Sequence, residues 1–263
     1  MKLKINIIDA FTDTQFKGNS AAVIITDHWL SDDLMQSIAM ENNLSETAYL
    51  VKDTLDSYQI RWFSPLMEIP FCGHATLASA FVIFSENNSL DTFVITADAV
   101  GQMVIEKGND GYIQMDFPIR KPSPVEQVPS ELVQGLSIEP MEVLLNQQAY
   151  FAVYNNEEDV LNVVQNKDQL KQLAPYDVVV TAKSERYDFL SRYFWPASGG
   201  KEDPVTGSIH TGLAPYWAEK LGKSQLMAYQ ASKRGGTLFC KVDGERVYIS
   251  GKAVKYLEGF IEV

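Results

Sequence analysis

Cys72, Gly73 and His74 stand in a row at the mouth of the apolar, Ala-rich stretch FCGHATLASAFVIF (71–84). A thiol and an imidazole at a helix start permit three readings: a nucleophile with its base, a pair of metal ligands, or a buried turn whose polar atoms are satisfied locally. A further ionisable group, Glu46, lies in ENNLSETAYLV (41–51), where it follows a helical pattern and opens an apolar strand. By itself such a glutamate is most often a solvated edge or capping group.

These groups need elements to hold them, and the chain writes those elements twice. IRWFSP (60–65) and SRYFWP (191–196) each carry Arg, two aromatics, one more residue and Pro. After each come a loop, a glycine and a helical pattern: Gly73-His74-Ala75-Thr76 in one case, Gly207-Ser208-Ile209-His210 in the other. The glycines are 207 − 73 = 134 residues apart. TADAVGQMVIEKG (96–108) meets QASKRGGTLFCKV (230–242) at the same offset, 230 − 96 = 134, which sets Gly101 against Gly235. This predicts two related halves, 1–120 and 121–263, joined in the proline-rich FPIRKPSPVEQVPSE (117–131).

Local patterns fill in each half. LKINIIDAF, SAAVIIT, TAYLVK, YQIRWF, TFVITA, GQMVIEK and YIQMDF read as strands, being short, β-branched or aromatic, and bounded by turn residues. Ser31 as N-cap, acids in the first turn and the Leu34/Ile38 spacing predict a helix over 32–41. HATLASAFVIFSE is apolar almost all round, which predicts a helix buried on every side. The second half offers DVVVTA, RYFWP, a helix from Ser208 to about Leu221 with Gly222 as C-cap, then LMAYQA, GTLFCKV and RVYISG. Pro215 should kink that helix or cost it a hydrogen bond. The expectation is an α+β fold of two pseudo-symmetric domains, each a sheet wrapped around a central helix. A ligand would lie in the cleft between them, where both helix N-termini could offer free N–H groups to a carboxylate.

Bulk properties narrow the partners. A net charge of −12 repels phosphate backbones, which argues against nucleic acid. No stretch approaches the roughly 18 apolar residues of a membrane span, and the start MKLKINIIDAF has no signal-peptide core, so a cytoplasmic protein is expected. Two cysteines, Cys72 and Cys240, do not make a disulfide framework, and Cys240 in TLFCKV reads as a buried strand residue. With the three scattered histidines, His28, His74 and His210, they show no metal-ligand spacing.

DAFTDTQFKGNSAAVI, NLSETAYL, FCGHATLASA, EDPVTGSIHTGLAPYW and QASKRGG, in this order between about residue 8 and residue 236, resemble the PhzF family. The resemblance implies the diaminopimelate epimerase-like fold: two similar domains, each a mixed β-sheet rolled around a central helix, with the active site between them. The best-known family member isomerises trans-2,3-dihydro-3-hydroxyanthranilate with neither metal nor organic cofactor. Carried over, Glu46 moves a proton from one carbon to another. His74 and Asp203 complete the catalytic set, while Gly73, Gly207 and Ser208 bind substrate with Cys72 beside them. The resemblance also implies a homodimer and a small anionic metabolite as partner. Such chemistry is reasonable for these groups. A C–H proton needs one group able to act as base and then acid, and negative charge on the substrate needs donors already in place.

Enzymes of this fold that racemise amino acids use two cysteines on opposite faces of the substrate. Cys72 matches one. Where the other would stand there is Asp203-Pro204-Val205-Thr206 and no cysteine, which disfavours a two-thiol racemase. Two alternatives remain beside the isomerase: a Cys72-dependent racemase, and a catalytically silent binder of small anions. In QASKRGG, Arg234 could meet a carboxylate, or the segment could be a simple hairpin turn around Gly235-Gly236.

Overall fold

The computed structural model describes residues 1–54 and 56–263, with the backbone alone at Ser198. It divides into two compact units, Met1–Asp116 with Ser250–Val263, and Phe117–Ile249.

In the first unit, β1 (Lys2–Ala10) pairs antiparallel with β2 (Asn19–Thr26). Helix α1 (Asp32–Asn42) crosses to β3 (Glu46–Lys52), which runs parallel to β2. β4 (Ser57–Phe63) returns antiparallel and meets the short β5 (Glu68–Ile69). Helix α2 (Gly73–Glu86) then crosses to β6 (Thr92–Ala97), parallel to β4, and β7 (Gly101–Lys107) and β8 (Ile113–Pro118) follow antiparallel. As its sequence demands, α2 is buried on every side; taking Leu77, Ile83 and Phe84 out of water contributes roughly 1.5–3 kcal/mol each. Its hydroxyls need no outside partner, since Thr76 and Ser79 donate to the carbonyls of Cys72 and Ala75 four residues back. On another face, Met35, Ile38 and Ala39 of α1 pack with Leu3, Ile5, Ile24, Tyr49 and Phe63.

The second unit repeats this path. β9 (Ser123–Pro124), α3 (Ser130–Gly135) and β10 (Glu142–Leu145) lead to β11 (Ala149–Val153). Two short helices, α4 (Glu157–Asn162) and α5 (Lys167–Leu170), cross to β12 (Asp177–Lys183), parallel to β11. β13 (Phe189–Phe194) is antiparallel to β12 and meets β14 (Glu202–Asp203). α6 (His210–Leu221) crosses to β15 (Gln225–Gln230), parallel to β13, and β16 (Gly236–Asp243) and β17 (Arg246–Gly251) complete the set. The last strand, β18 (Ala253–Glu262), pairs along the whole of β1 and so joins the first unit. The sequence division at 120/121 had left it with the second half, because an edge strand placed by pairing with the N-terminus carries no local mark of its partner. The segment 123–176 holds only short elements, with α-helices of four to six residues.

Structure explains why the repeat runs at two offsets. Thr47 pairs with Phe63 as Val178 pairs with Phe194, an offset of 131. Phe63 pairs with Glu68 as Phe194 pairs with Glu202, so the offset is 202 − 68 = 134 from there on. Three extra residues sit in the second unit's loop, which contains the 3-10 turn Pro196–Ser198. Downstream, Gly101 and Gly235 both hold positive φ, at 73° and 66°, before the return strand. The repeated arginines close matching forks. Arg61 Nε and Nη2 each lie 2.7 Å from Glu68, and Arg192 reaches Glu202 at 2.7 and 3.1 Å. Each guanidinium also lies over the aromatic two residues on, Phe63 or Phe194.

The last helix starts later than the sequence suggests, and Pro215 costs it the expected hydrogen bond. α6 begins at His210, since Gly207–Ile209 form a tighter turn in which His210, Thr211 and Gly212 N–H bond three residues back. Pro215 lies inside α6, and the carbonyl it leaves free, that of Thr211, accepts Arg120 N–H at 3.0 Å. Among the described residues, no helix is long and apolar enough to cross a membrane.

Arg192 also donates to the carbonyls of Val160, Leu161 and Val163 at the end of α4, and its side chain is only 16% exposed. Arg192→Met should therefore cost about 2–4 kcal/mol in urea unfolding, against about 1 kcal/mol for Arg61→Met, whose partners Glu68 and Asp32 face solvent.

Candidate active site

Unit one gathers Glu46, Cys72, Gly73 and His74. Asn42 donates to Thr47 and Asn43 takes a left-handed conformation, which turns the chain so that Glu46 opens β3 beside Ala21 of β2. Gly18, at φ 63°, allows the tight entry to β2; a Cβ there would fall 2.1 Å from the Ala10 carbonyl oxygen. Next to it, fully buried Asn19 sets its amide 3.2 Å from His74 Nδ1. Cys72 Sγ is 3.3 Å from the same nitrogen. His74 Nε2 lies 2.9 Å from Glu46 Oε2, off the line of an ideal hydrogen bond, so the contact is chiefly electrostatic. The imidazole and carboxylate are 5% and 13% exposed. At the start of α2, the N–H groups of Gly73 and His74 have no hydrogen-bond partner among the described residues.

Burial alone would lower the His74 pKa, but the neighbouring Cys72 and Glu46 outweigh it and raise it well above the ordinary imidazole value. Burial first, and then the Glu46 charge, push the Cys72 thiol up to about 11. The thiol is therefore neutral near pH 7, and Glu46 is the charge that holds the imidazolium. The Asn19 atom beside Nδ1 is its amide nitrogen; an imidazolium, which donates from both ring nitrogens, requires that amide to present its oxygen there instead. Glu46, Cys72 and His74 could each present a ligand atom to one cation, since these atoms lie within 4.8 Å of one another, a convergence their sequence spacing did not reveal.

The second unit carries Asp203, Gly207 and Ser208 on the loop before α6. Thr206 donates to the Asp203 carboxylate. Gln230 binds the same loop from two sides, accepting from Thr206 N–H at 2.8 Å and donating to the Asp203 carbonyl at 2.9 Å. Ser232 donates to the Pro204 carbonyl at 2.7 Å and accepts from Gly235 N–H at 3.0 Å. QASKRGG thus holds the DPVTGS loop, which is more than a hairpin turn. The N–H groups of Gly207, Ser208 and Ile209 have no hydrogen-bond partner among the described residues. Gln148 donates to Ser208 and links it through Tyr193 to Asp177, a polar chain that sequence reasoning missed; the one available signal was that Asp177 opens its strand as Glu46 does.

Cys240 is fully buried, and burial pushes its thiol up to about 12. His210 is buried beside Phe189, with Nδ1 2.9 Å from the Thr206 carbonyl, and burial lowers its pKa to about 4. A groove of about 820 Å³ in the first unit, lined by Trp29, Arg61, Glu68, Asp98 and Gln102, contains none of these candidate groups.

The two buried histidines act on stability with opposite signs. A raised pKa binds the proton more tightly in the folded state, so the His74 contribution is complete below about pH 6.5 and fades as pH rises through its folded value. His210 is the reverse: its neutral form is favoured by folding, and stability is lost as pH falls from about 6.5 toward 4. With only three histidines, ¹H–¹⁵N spectra of the ring nitrogens at pH 7 should show His74 doubly protonated and His210 neutral. A neutral His74 at that pH would contradict the pairing with Glu46.

Comparison with known proteins agrees with this architecture. Residues 8–259 match the family model described as phenazine biosynthesis-like protein. An uncharacterized isomerase of Pseudomonas aeruginosa is 44% identical, with both chains covered in full. A human phenazine biosynthesis-like domain-containing protein is 36% identical over 98% of this chain and 99% of its own. Among solved structures, a PhzF family protein of Enterococcus faecalis superposes with a TM-score of 0.94 at 40% identity over all of both chains. A hydroxyproline epimerase of Agrobacterium vitis shares the fold, with a TM-score of 0.62 at 9% identity over 99% of this chain and 92% of its own. The chain belongs to the phenazine biosynthesis-like (PhzF) family of isomerases, on the epimerase-like fold of two repeated sheet-and-helix units.

Proposed function

We propose that the protein is a cofactor-independent isomerase or epimerase of a small carboxylated metabolite, with Glu46 as the group that takes a proton from one carbon and returns it to another. The carrying observation is the buried 2.9 Å contact between Glu46 and His74 at the start of α2. In the first step the substrate C–H bond breaks, its proton passes to a Glu46 oxygen, and the electron pair stays on the conjugated substrate. In the second, Glu46 gives the proton to a different carbon, and no electrons leave the system. His74 steadies the carboxylate before the first step and after the second; between them Glu46 is the neutral acid that holds the proton. The N–H groups of Gly73 and His74, and of Gly207 and Ser208, which have no partner among the described residues, are donors for the substrate's carboxylate and for charge developing near it. Asp203, fixed by Thr206 and Gln230, completes the catalytic set as an acceptor for a substrate amino or hydroxyl group. Cys72 is a neighbour of the substrate rather than a nucleophile, because a thiol pushed up to about 11 supplies little thiolate at neutral pH.

Proton NMR in D2O tests this directly, with trans-2,3-dihydro-3-hydroxyanthranilate as first substrate and then small amino and hydroxy acids. Wild-type protein should exchange a carbon-bound proton, Glu46→Gln should lose at least about 10³-fold in rate, and Cys72→Ser should stay within about tenfold. Equal exchange by wild type and Glu46→Gln would sink the assignment. Loss on Cys72→Ser with Glu46→Gln still active would establish the thiol racemase, and binding without exchange of any substrate would establish a silent binder.

A further inference from the structure

The internal repeat assigns the second unit a counterpart to the Glu46–His74 pair. In strand register, Glu46 corresponds to Asp177, because Thr47 and Val178, the next residues, face Phe63 and Phe194. Each acid opens a strand parallel to its predecessor, Glu46 beside Ala21 and Asp177 beside Ala149. At the helix start, His74 corresponds to Ser208 at the 134-residue offset. The first unit joins acid and helix start by direct contact. In the second they are joined by a chain of two side chains. Tyr193 OH donates to Asp177 Oδ2 at 2.7 Å, Gln148 Nε2 lies 3.1 Å from Tyr193 OH, and the same amide nitrogen donates to Ser208 Oγ at 2.9 Å.

We propose that Asp177 is a positioning residue that acts through Tyr193 and Gln148 to fix the Ser208 hydroxyl as a hydrogen-bond donor toward the substrate's anionic group. The polarity of the chain follows from donor and acceptor arithmetic. An ionised carboxylate only accepts, so Tyr193 commits its proton to Asp177. The phenol oxygen then accepts from the Gln148 amide, which turns its NH2 toward both Tyr193 and Ser208. Ser208 Oγ therefore accepts from Gln148, and its own proton is left to donate elsewhere. The backbone reinforces the arrangement: Asp177 N–H bonds the Gln148 carbonyl at 3.2 Å, and the Asn146 side chain accepts from Gln148 N–H at 2.8 Å. Two oxygens of the chain, Asp177 Oδ1 and Gln148 Oε1, are buried without a donor among the described residues. Burial raises the Asp177 pKa to about 6, partly countered by the Tyr193 bond, so the carboxylate is largely ionised at pH 8.

This inference rests on the proposed role of Ser208 as a substrate donor, and its test separates the two. Affinity for anthranilate, a stable aromatic carboxylate, is measured by calorimetry at pH 8 for Ser208→Ala, Asp177→Asn, Tyr193→Phe and the Ser208→Ala/Asp177→Asn double variant. Each single variant should weaken binding about tenfold, and the double variant should be no weaker than Ser208→Ala alone, because both act through one hydroxyl. Without ligand, the Gln148 side-chain amide signals should move in Asp177→Asn and in Tyr193→Phe. Additive losses of about a hundredfold, or unmoved Gln148 signals, overturn the Asp177 chain whatever Glu46 does. A neutral Ser208→Ala overturns it too, while leaving proton transfer at Glu46 to be judged by deuterium exchange.

Discussion

A histidine that keeps its proton in the first turn of a buried helix needs a charge partner nearby, and Glu46 supplies one to His74 at 2.9 Å. Much of the first unit can be traced to that requirement. α2 has to be apolar to fill the centre of its sheet, so His74 can reach a carboxylate only where the helix begins. Glu46 has to open β3, because deeper along the strand it would lie in the core. Gly18 and Asn19 bring the second partner of the imidazole to the same spot from the start of β2. The imidazolium and carboxylate stabilise one another, and the neutral thiol of Cys72 beside them stays out of ionic chemistry.

The second unit uses the same path of strands and helices with different side chains. Its buried histidine, His210, sits two positions beyond the counterpart of His74, meets a carbonyl instead of an acid, and is held neutral. Ser208 occupies the helix-start position, and its acid is reached through Tyr193 and Gln148. A duplicated scaffold thus carries a direct acid–histidine contact in one copy and, in the other, a hydrogen-bond chain that ends on a carboxylate with no cation in it. That asymmetry suits a reaction in which one group moves the proton and another set of groups holds the substrate. Common to both copies is structural: the Arg61–Glu68 and Arg192–Glu202 forks, each with its guanidinium on an aromatic ring, tie the central strand to the short strand before the helix.

Much of the first unit was legible because its elements are local. Alternation in YQIRWF, the Ser31 cap and the unbroken apolar run of α2 mark those elements without reference to anything distant. The second unit was less so between 123 and 176, where α3, α4 and α5 span only four to six residues each and have no room to show a helical period. Of the two outcomes open to Pro215, a kink or a lost hydrogen bond, the lost bond is seen at the Thr211 carbonyl. That Arg120 would donate to the released carbonyl could not be read, since the partner lies 91 residues before the carbonyl it meets, 211 − 120.

By itself the sequence determined the repeat, the strands and helices of its periodic segments, and the candidate residues Glu46, Cys72, Gly73, His74, Asp203, Gly207 and Ser208, because motifs and periodicity are written along the chain. Only the tertiary structure decided which of these touch. It set His74 between Glu46, Cys72 and Asn19, gave Gln230 and Ser232 the task of holding the 203–206 loop, linked Ser208 through Gln148 and Tyr193 to Asp177, and returned the last strand to the first. The reason is physical. Burial, charge state and hydrogen-bond polarity belong to groups brought within about 3 Å of one another, and strand pairing makes such neighbours of residues far apart in the chain.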